Sequence, residues 1–208
     1  MSTKQLEAVR LECMRGYRRL FTNLNLQVNP GEVLQVEGTN GSGKTSLLRI
    51  LSGLSMPADG EVRWGGDDVR KNRGDYYRDM QYVGHSNGIK ADLTPLENLD
   101  MARRLAIPNS NVSCHAALER LGIANCASIP TGNLSAGQQR RVALARLLAT
   151  QSRLWILDEP FTSLDKHARV LVEDMLEEHT SAGGMAVVTT HHPLQNRGFP
   201  LNTIELDA

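Results

Sequence analysis

Glu32-Val33-Leu34-Gln35-Val36-Glu37, running into Gly38-Thr39-Asn40-Gly41-Ser42-Gly43-Lys44-Thr45, decides how the rest of the chain is read. The second stretch fits G-x-x-x-x-G-K-[ST], a loop that cradles phosphates. Its flanks agree. The residues before it alternate like a strand, and Leu47, Leu48 and Leu51 recur at helical spacing as far as Gly53, a left-handed C-cap. Gly38, Gly41 and Gly43 carry no Cβ, so the backbone can turn tightly and aim its N–H groups at an anion. The positive end of the following helix adds to that field. Thr39, Asn40 and Ser42 complete the loop. Lys44 can reach the β- and γ-phosphates, the Thr45 hydroxyl can ligate Mg²⁺, and Ser46 offers a further hydroxyl. These residues predict a nucleotide-phosphate site.

The whole chain sets bounds on what surrounds that site. Its 208 residues suit one sizeable domain carrying a lobe. The 23 basic and 23 acidic residues cancel, which leaves no electrostatic case for nucleic acid as the main partner. Mean hydropathy is −0.32, and no run approaches the ~20 apolar residues that span a bilayer. Met1-Ser2-Thr3-Lys4-Gln5 leads into a charged segment with no signal-peptide core. The expectation is a cytoplasmic chain able to dock on a membrane protein. Cys13, Cys114 and Cys126 form no CxxC pair and read as reduced structural thiols.

Around the loop, Val9–Glu12 and Leu24–Val28 alternate like half-covered strands, joined by a turn at Arg15-Gly16-Tyr17-Arg18-Arg19. Tyr17 offers a π-face on which adenine could stack, and reads equally well as an amphipathic Tyr at a strand end. Glu61–Trp64 and Met80–Gly84 are short strands, and His85-Ser86-Asn87-Gly88 is a polar loop. Thr94-Pro95-Leu96-Glu97 spells an N-cap, a Pro at the first helical position and a capping-box Glu. Ser113 to Leu121 gives another helix, ended by Gly122. Leu134-Ser135-Ala136-Gly137-Gln138 opens a basic helix through Arg140, Arg141, Val142, Leu144 and Leu148, with Ser135 as its cap. A capped surface helix with charged outer positions explains such a segment.

Leu154-Trp155-Ile156-Leu157-Asp158-Glu159 says more. Four apolar residues suit a central parallel strand covered on both faces, and an open α/β sheet places its chemistry at the strand ends. Behind a phosphate loop, Asp158 is the expected Mg²⁺ ligand and Glu159 the carboxylate that orients and deprotonates a water. Met185–Thr189 is a further buried strand, with His191-His192 just beyond it. A His there can donate to a phosphate oxygen or a water. The Leu171, Val172, Met175 and Leu176 stripe is core packing, and Leu201 to Leu206 is a last strand.

With these segments in order, the chain resembles the ATP-binding cassette superfamily over nearly its full length. Gly38–Thr45 matches Walker A, Leu134–Gln138 the signature usually written LSGGQ, and Leu154–Asp158 with Glu159 matches Walker B and its catalytic carboxylate. Ser163-Leu164-Asp165 matches the D-loop and His191 the switch histidine. The resemblance implies an α/β P-loop NTPase fold: a RecA-like core with an antiparallel β lobe and a helical lobe, here roughly 86–150 of a single domain spanning 1–208. It also implies ATP and Mg²⁺ as cofactors, and a head-to-tail dimer with a second copy of the chain. In that dimer Ser135, Gly137 and Gln138 close over ATP held by the other copy's loop.

Within the superfamily the chain is most similar to the ATP-binding subunits of the haem exporters of bacterial cytochrome c biogenesis. That likeness rests on Tyr82-Val83-Gly84-His85, Gly88-Ile89-Lys90, Leu93–Leu99, Leu134–Arg141 with Ala136, and Thr189-Thr190-His191. It implies an integral membrane permease as partner, a peripheral place on the cytoplasmic face of the inner membrane, and no direct haem site in this chain. The alternatives are the ATPase subunit of an ABC transporter for another substrate, such as an amino acid, lipid or drug, and a soluble cassette ATPase acting on ribosomes or DNA. Three departures from the superfamily pattern stand out. His85 or Ser86 occupies the place of the Q-loop glutamine, giving His85 an expected position near Mg²⁺. Ala136 replaces the middle glycine of the signature, and the segment around Tyr17 is short.

Overall fold

The computed structural model describes residues 4–106, 112–191, 194 and 198–206, so His192 lies outside the described residues. An antiparallel hairpin opens the chain: β1 (Leu6–Arg15) and β2 (Arg18–Val28), turned at Gly16-Tyr17. β3 (Val33–Gly38) leads through the glycine loop into α1 (Lys44–Leu51). β4 (Asp59–Trp64) returns to the free edge of β1 and carries β5 (Asp67–Asp68), closing a four-stranded sheet in the order β2-β1-β4-β5. Next come α2 (Arg73–Asp79), β6 (Met80–Val83), α3 (Pro95–Leu105), α4 (Cys114–Arg120) and α5 (Ala136–Thr150). β7 (Leu154–Asp158), α6 (Lys166–Ser181), β8 (Met185–Thr189) and β9 (Leu201–Leu206) finish it. The second sheet is wholly parallel, in the order β6-β7-β8-β3-β9.

The apolar runs explain the layering. β7 and β8 are buried at every position, and alternate side chains feed two different cores. Trp155, Leu157, Ala186 and Val188 join Leu99 of α3, Leu118 of α4, Leu144 of α5 and Val172 of α6. Leu154, Ile156, Met185 and Val187 join Leu47 and Leu51 of α1 with Leu6, Leu11 and Val62 of the antiparallel sheet. The parallel sheet is therefore a wall between a helical lobe and a β lobe.

Helix ends follow the expected capping. The Thr94 hydroxyl accepts from Glu97 N–H while the Glu97 carboxylate accepts from Thr94 N–H, a closed capping box with Pro95 inside it. Ser113 caps α4, and the Asp165 carboxylate accepts from Ala168 N–H at 2.7 Å to cap α6.

Other details differ from the sequence reading. β1 and β2 are longer than their alternating cores, because a hairpin ladder continues through residues with no apolar pattern. α2 was not expected: it buries only Tyr76, too little to leave a periodic signal. Helix begins in the lobe at Pro95, and residues 84–94 carry no regular structure. They are held instead by Asn98 of α3, whose side chain accepts from Lys90 N–H at 2.7 Å and donates to the carbonyls of Lys90, Leu93 and Thr94.

Candidate nucleotide site

Two constraints shape the glycine loop. Gly38 sits at φ +141°, and a Cβ there would lie 2.5 Å from the Leu206 carbonyl oxygen. At the other end Gly43 is the N-cap of α1 in the left-handed region, φ 108°, with no side chain to cap the helix. The first N–H groups of α1 therefore have no side-chain acceptor from the cap, the condition for an anion site. The Lys44 ammonium lies back over the loop, donating to the carbonyls of Gly38 at 2.6 Å and Thr39 at 3.0 Å.

Strand register brings the remaining groups to the loop. Val83 of β6 pairs with Leu157 of β7, and Asp158 with Thr189 of β8, so the residues just past these strands emerge at one edge of the sheet. There a cleft of about 310 Å³ is lined by Asn40, Gly41, Gly43, Lys44, Thr45 and Ser46, together with His85, Asp158, Glu159 and His191. His85, rather than Ser86, is the residue after β6 that reaches this lining.

The two carboxylates differ. Asp158 is buried, and its Oδ1 accepts from the Thr189 hydroxyl at 2.7 Å. Its Oδ2 is buried without a hydrogen-bond partner among the described residues. A buried carboxylate oxygen left that way is costly, and a hard cation is what relieves it. Asp158 and the neighbouring Thr45 hydroxyl therefore fit Mg²⁺. Glu159 stands at φ 50°, a strained conformation for a non-glycine residue. Its N–H holds it there, donating to the carbonyl and hydroxyl oxygens of Thr189 at 3.1 and 3.0 Å. Its Oε1 lies 3.4 Å from His191 Nε2, an ion-pair distance without a formed hydrogen bond. Both groups remain available to a third partner.

The structure corrects the reading of α5 as a helix with only charged outer positions. Arg140 is 3% exposed. Its guanidinium donates to the carbonyls of Gly84 (2.7 Å), Asp158 (2.8 Å), Glu159 (2.9 Å) and Pro160 (3.3 Å), and to the Asn87 amide oxygen (3.2 Å). One side chain thus ties the loop carrying His85 to the segment carrying both acids. Burial lowers its pKa, while Asp158 and Glu159 act to raise it. Arg146 extends the tie, donating to the carbonyls of Asn87 and Gly88. The signal was present in the sequence: Arg140 precedes Ala143, Leu144 and Leu147 on the buried stripe of the helix.

The signature residues lie apart from this cleft within the chain. Ser135 and Ala136 are exposed. The Ser135 hydroxyl accepts from Gln138 N–H at 3.2 Å, and the Gln138 side chain accepts from Ser135 N–H at 2.9 Å. Gly137 passes so close to the D-loop that a Cβ would stand 2.6 Å from the Ser163 carbonyl oxygen. Tyr17 is also outside the cleft: it tips the β1–β2 turn, fully exposed at 106%. A turn tip with nothing packed above it leaves the ring in water, so the structure does not bring Tyr17 to the site. Two residues earlier, Arg15 does line the cleft.

A phosphate loop facing a buried, unpartnered carboxylate and an adjacent glutamate is the site of an ATP-hydrolysing cassette, and the chain belongs to the ABC transporter family, whose profile matches residues 21–162. It is 51% identical over 95% of its length, and 96% of the relative's, to the cytochrome c biogenesis ATP-binding export protein CcmA of Methylococcus capsulatus. It is 52% identical to the protein of the same name in Nitrosomonas europaea (92% and 90% covered) and 47% to that of Escherichia coli (97% and 96%). Among solved structures it is similar to one described as the ATP-binding subunit of an ABC transporter, with a TM-score of 0.87 and 21% identity. That alignment covers 97% of this chain and 85% of the other.

Proposed function

We propose that the chain is the ATP-hydrolysing subunit of a membrane export complex serving c-type cytochrome biogenesis, with haem as the exported group. One observation carries this reading: relatives named for that export are 47–52% identical over alignments that cover 92–97% of the chain. No described helix is long and apolar enough to cross a membrane, so the pathway belongs to a separate integral membrane permease. Exposed Tyr77 and Leu105 flank a groove in which Met101 and Ala102 alternate with Gln81 and Arg146, a surface of mixed polarity open to such a partner. In this reading the chain sits peripherally on the cytoplasmic face of the inner membrane.

The chemistry follows from the cleft. The loop amides and Lys44 take the triphosphate, with Lys44 exchanging loop carbonyls for phosphate oxygens. Thr45 and Asp158 would hold Mg²⁺, with His85 beside them; the ion supplies neutralisation of charge on the phosphate oxygens. Glu159 orients and deprotonates the attacking water, and His191 positions the γ-phosphate side of the site. A second copy, packed head to tail, supplies Ser135, Gly137 and Gln138 over the same phosphates. Binding closes the dimer and hydrolysis reopens it, which is the motion passed to the permease.

Affinity capture of the chain from solubilised membranes tests the assignment. The expected result is a co-purifying permease whose loss stops holocytochrome c formation. Recovery with ribosomes and no membrane protein would overturn it, and a permease for an unrelated solute would remove the cytochrome role.

A further inference from the structure

The cleft has a hydrolytic end and a second end that the phosphate chemistry does not use. Asp158, Glu159, His191 and His85 gather where β6, β7 and β8 finish. The other end is built by the β1–β2 hairpin, from Arg15 and Leu20. Leu20 lies against Gly43, the residue that turns the loop into α1: a Cβ on Gly43 would come 3.1 Å from Leu20 Cβ. With the γ-phosphate at Glu159, the nucleoside has to leave the loop toward this hairpin. No Phe, Trp or Tyr lines the cleft among the described residues, and Tyr17 is in solvent. The Phe21 ring also approaches Gly43, 3.4 Å from a Cβ placed there, but it is not part of the cleft lining; of the lining residues at this end only Arg15 offers a flat face, next to the apolar Leu20. Its neighbour Arg19 is committed to Glu12, with 2.8 Å between nitrogen and oxygen, whereas Arg15 makes no ion pair or side-chain hydrogen bond among the described residues.

We infer that the Arg15 guanidinium is the stacking platform for the nucleobase, taking the place of an aromatic ring, with Leu20 packing beside the base or ribose. A planar, delocalised guanidinium stacks on π-faces, and it is weakly hydrated enough to give up water for the contact. A plane that reads no base edge also predicts weak discrimination between purines.

The inference rests on the proposed nucleotide site, and the test separates the two. MgATP and inorganic tripolyphosphate binding are measured by calorimetry on the full chain and its Arg15→Ala, Arg15→Lys, Arg15→Tyr and Lys44→Ala variants. Arg15→Ala should weaken MgATP about tenfold, the scale of one stacked base, and leave tripolyphosphate within about twofold. Arg15→Tyr should recover most of the loss, and Arg15→Lys, which keeps charge without a plane, should not. Equal losses for both ligands, or rescue by Lys and not Tyr, would make Arg15 a phosphate contact and overturn the stack. So would an Arg15→Ala variant that binds MgATP like the parent. If the parent chain binds neither ligand, or Lys44→Ala changes nothing, the nucleotide site itself fails, and the inference with it.

Discussion

Two helix N-termini in this molecule look toward phosphate in different ways. α1 starts at Gly43, a left-handed glycine without a side chain, and leaves its first amides uncapped. α5 starts at Ser135 and closes on itself, with Ser135 and Gln138 exchanging both bonds of a capping box. An uncapped terminus needs an anion and is built to hold one within the chain; a capped terminus is complete without one. The first is walled by a cleft and the second stands exposed on the surface. In the proposed head-to-tail assembly the first is a resident site and the second meets phosphate only when another copy presents it, so that half of the phosphate chemistry is conditional on assembly.

The largest effect should fall at the uncapped terminus and its strand-end partner. Lys44→Ala is expected to weaken ATP binding at least about 100-fold, while Glu159→Gln binds ATP normally and loses about 100- to 1000-fold in turnover, the scale of a lost general base. Near-parental turnover by Glu159→Gln would remove it as the base. Ser135→Ala, by contrast, should leave ATP binding by the monomer within about twofold; an equal loss there would erase the distinction between the termini.

Arg140 connects the capped helix to Glu159. Arg140→Met strands several buried carbonyls and should cost roughly 3 kcal/mol of stability. Arg140→Lys, which restores the charge and part of the bonding, should fold. Its turnover should fall more than its ATP affinity, because the groups it holds are those acting on water. A loss confined to affinity would show that the tie serves only packing.

A third test leaves both termini alone. Burial pulls the His179 imidazole down to about 4, against hydrogen bonds to the Met185 and Arg153 backbone that favour its charged form. The ring stacks on Trp155 with centroids 3.8 Å apart. The folded state therefore holds a neutral ring that the unfolded chain protonates near pH 6.5. Its stabilisation is complete above that pH and is lost as pH falls toward 4, by about 3 kcal/mol. A thermal melting series should show this slope, and His179→Phe, which keeps a ring on Trp155, should flatten it. Affinity for ATP measured above pH 6.5 should not respond to that substitution, since neither ring is part of the cleft lining.

The smallest effect belongs to the capped terminus itself. Ser135→Ala opens the capping box and should cost about 1 kcal/mol, a melting shift of about 2–4 °C. Its larger consequence should appear in dimer-dependent hydrolysis, measured as the dependence of specific activity on protein concentration.

Local spacing was enough for the sequence to determine the parts whose chemistry is contiguous. Gly38 to Thr45, the apolar run into Asp158-Glu159, and the caps at Thr94, Ser113 and Ser135 depend on residues within a turn or two of each other, so periodicity and residue type express them directly. What joins distant segments was left to the tertiary structure. Asp158 meets Thr189 only because β7 and β8 pair in register, and Gly137 owes its missing side chain to Ser163. Arg140 reads as one more basic surface residue until Gly84, Asp158 and Glu159 are brought around it. Tyr17 and Arg15 make the point most plainly. Residue type makes the aromatic one candidate base platform, but a two-residue turn carries it into solvent and leaves Arg15 lining the cleft. Residue type settles what a side chain can do; the strand register and turn geometry that aim it are properties of the whole fold.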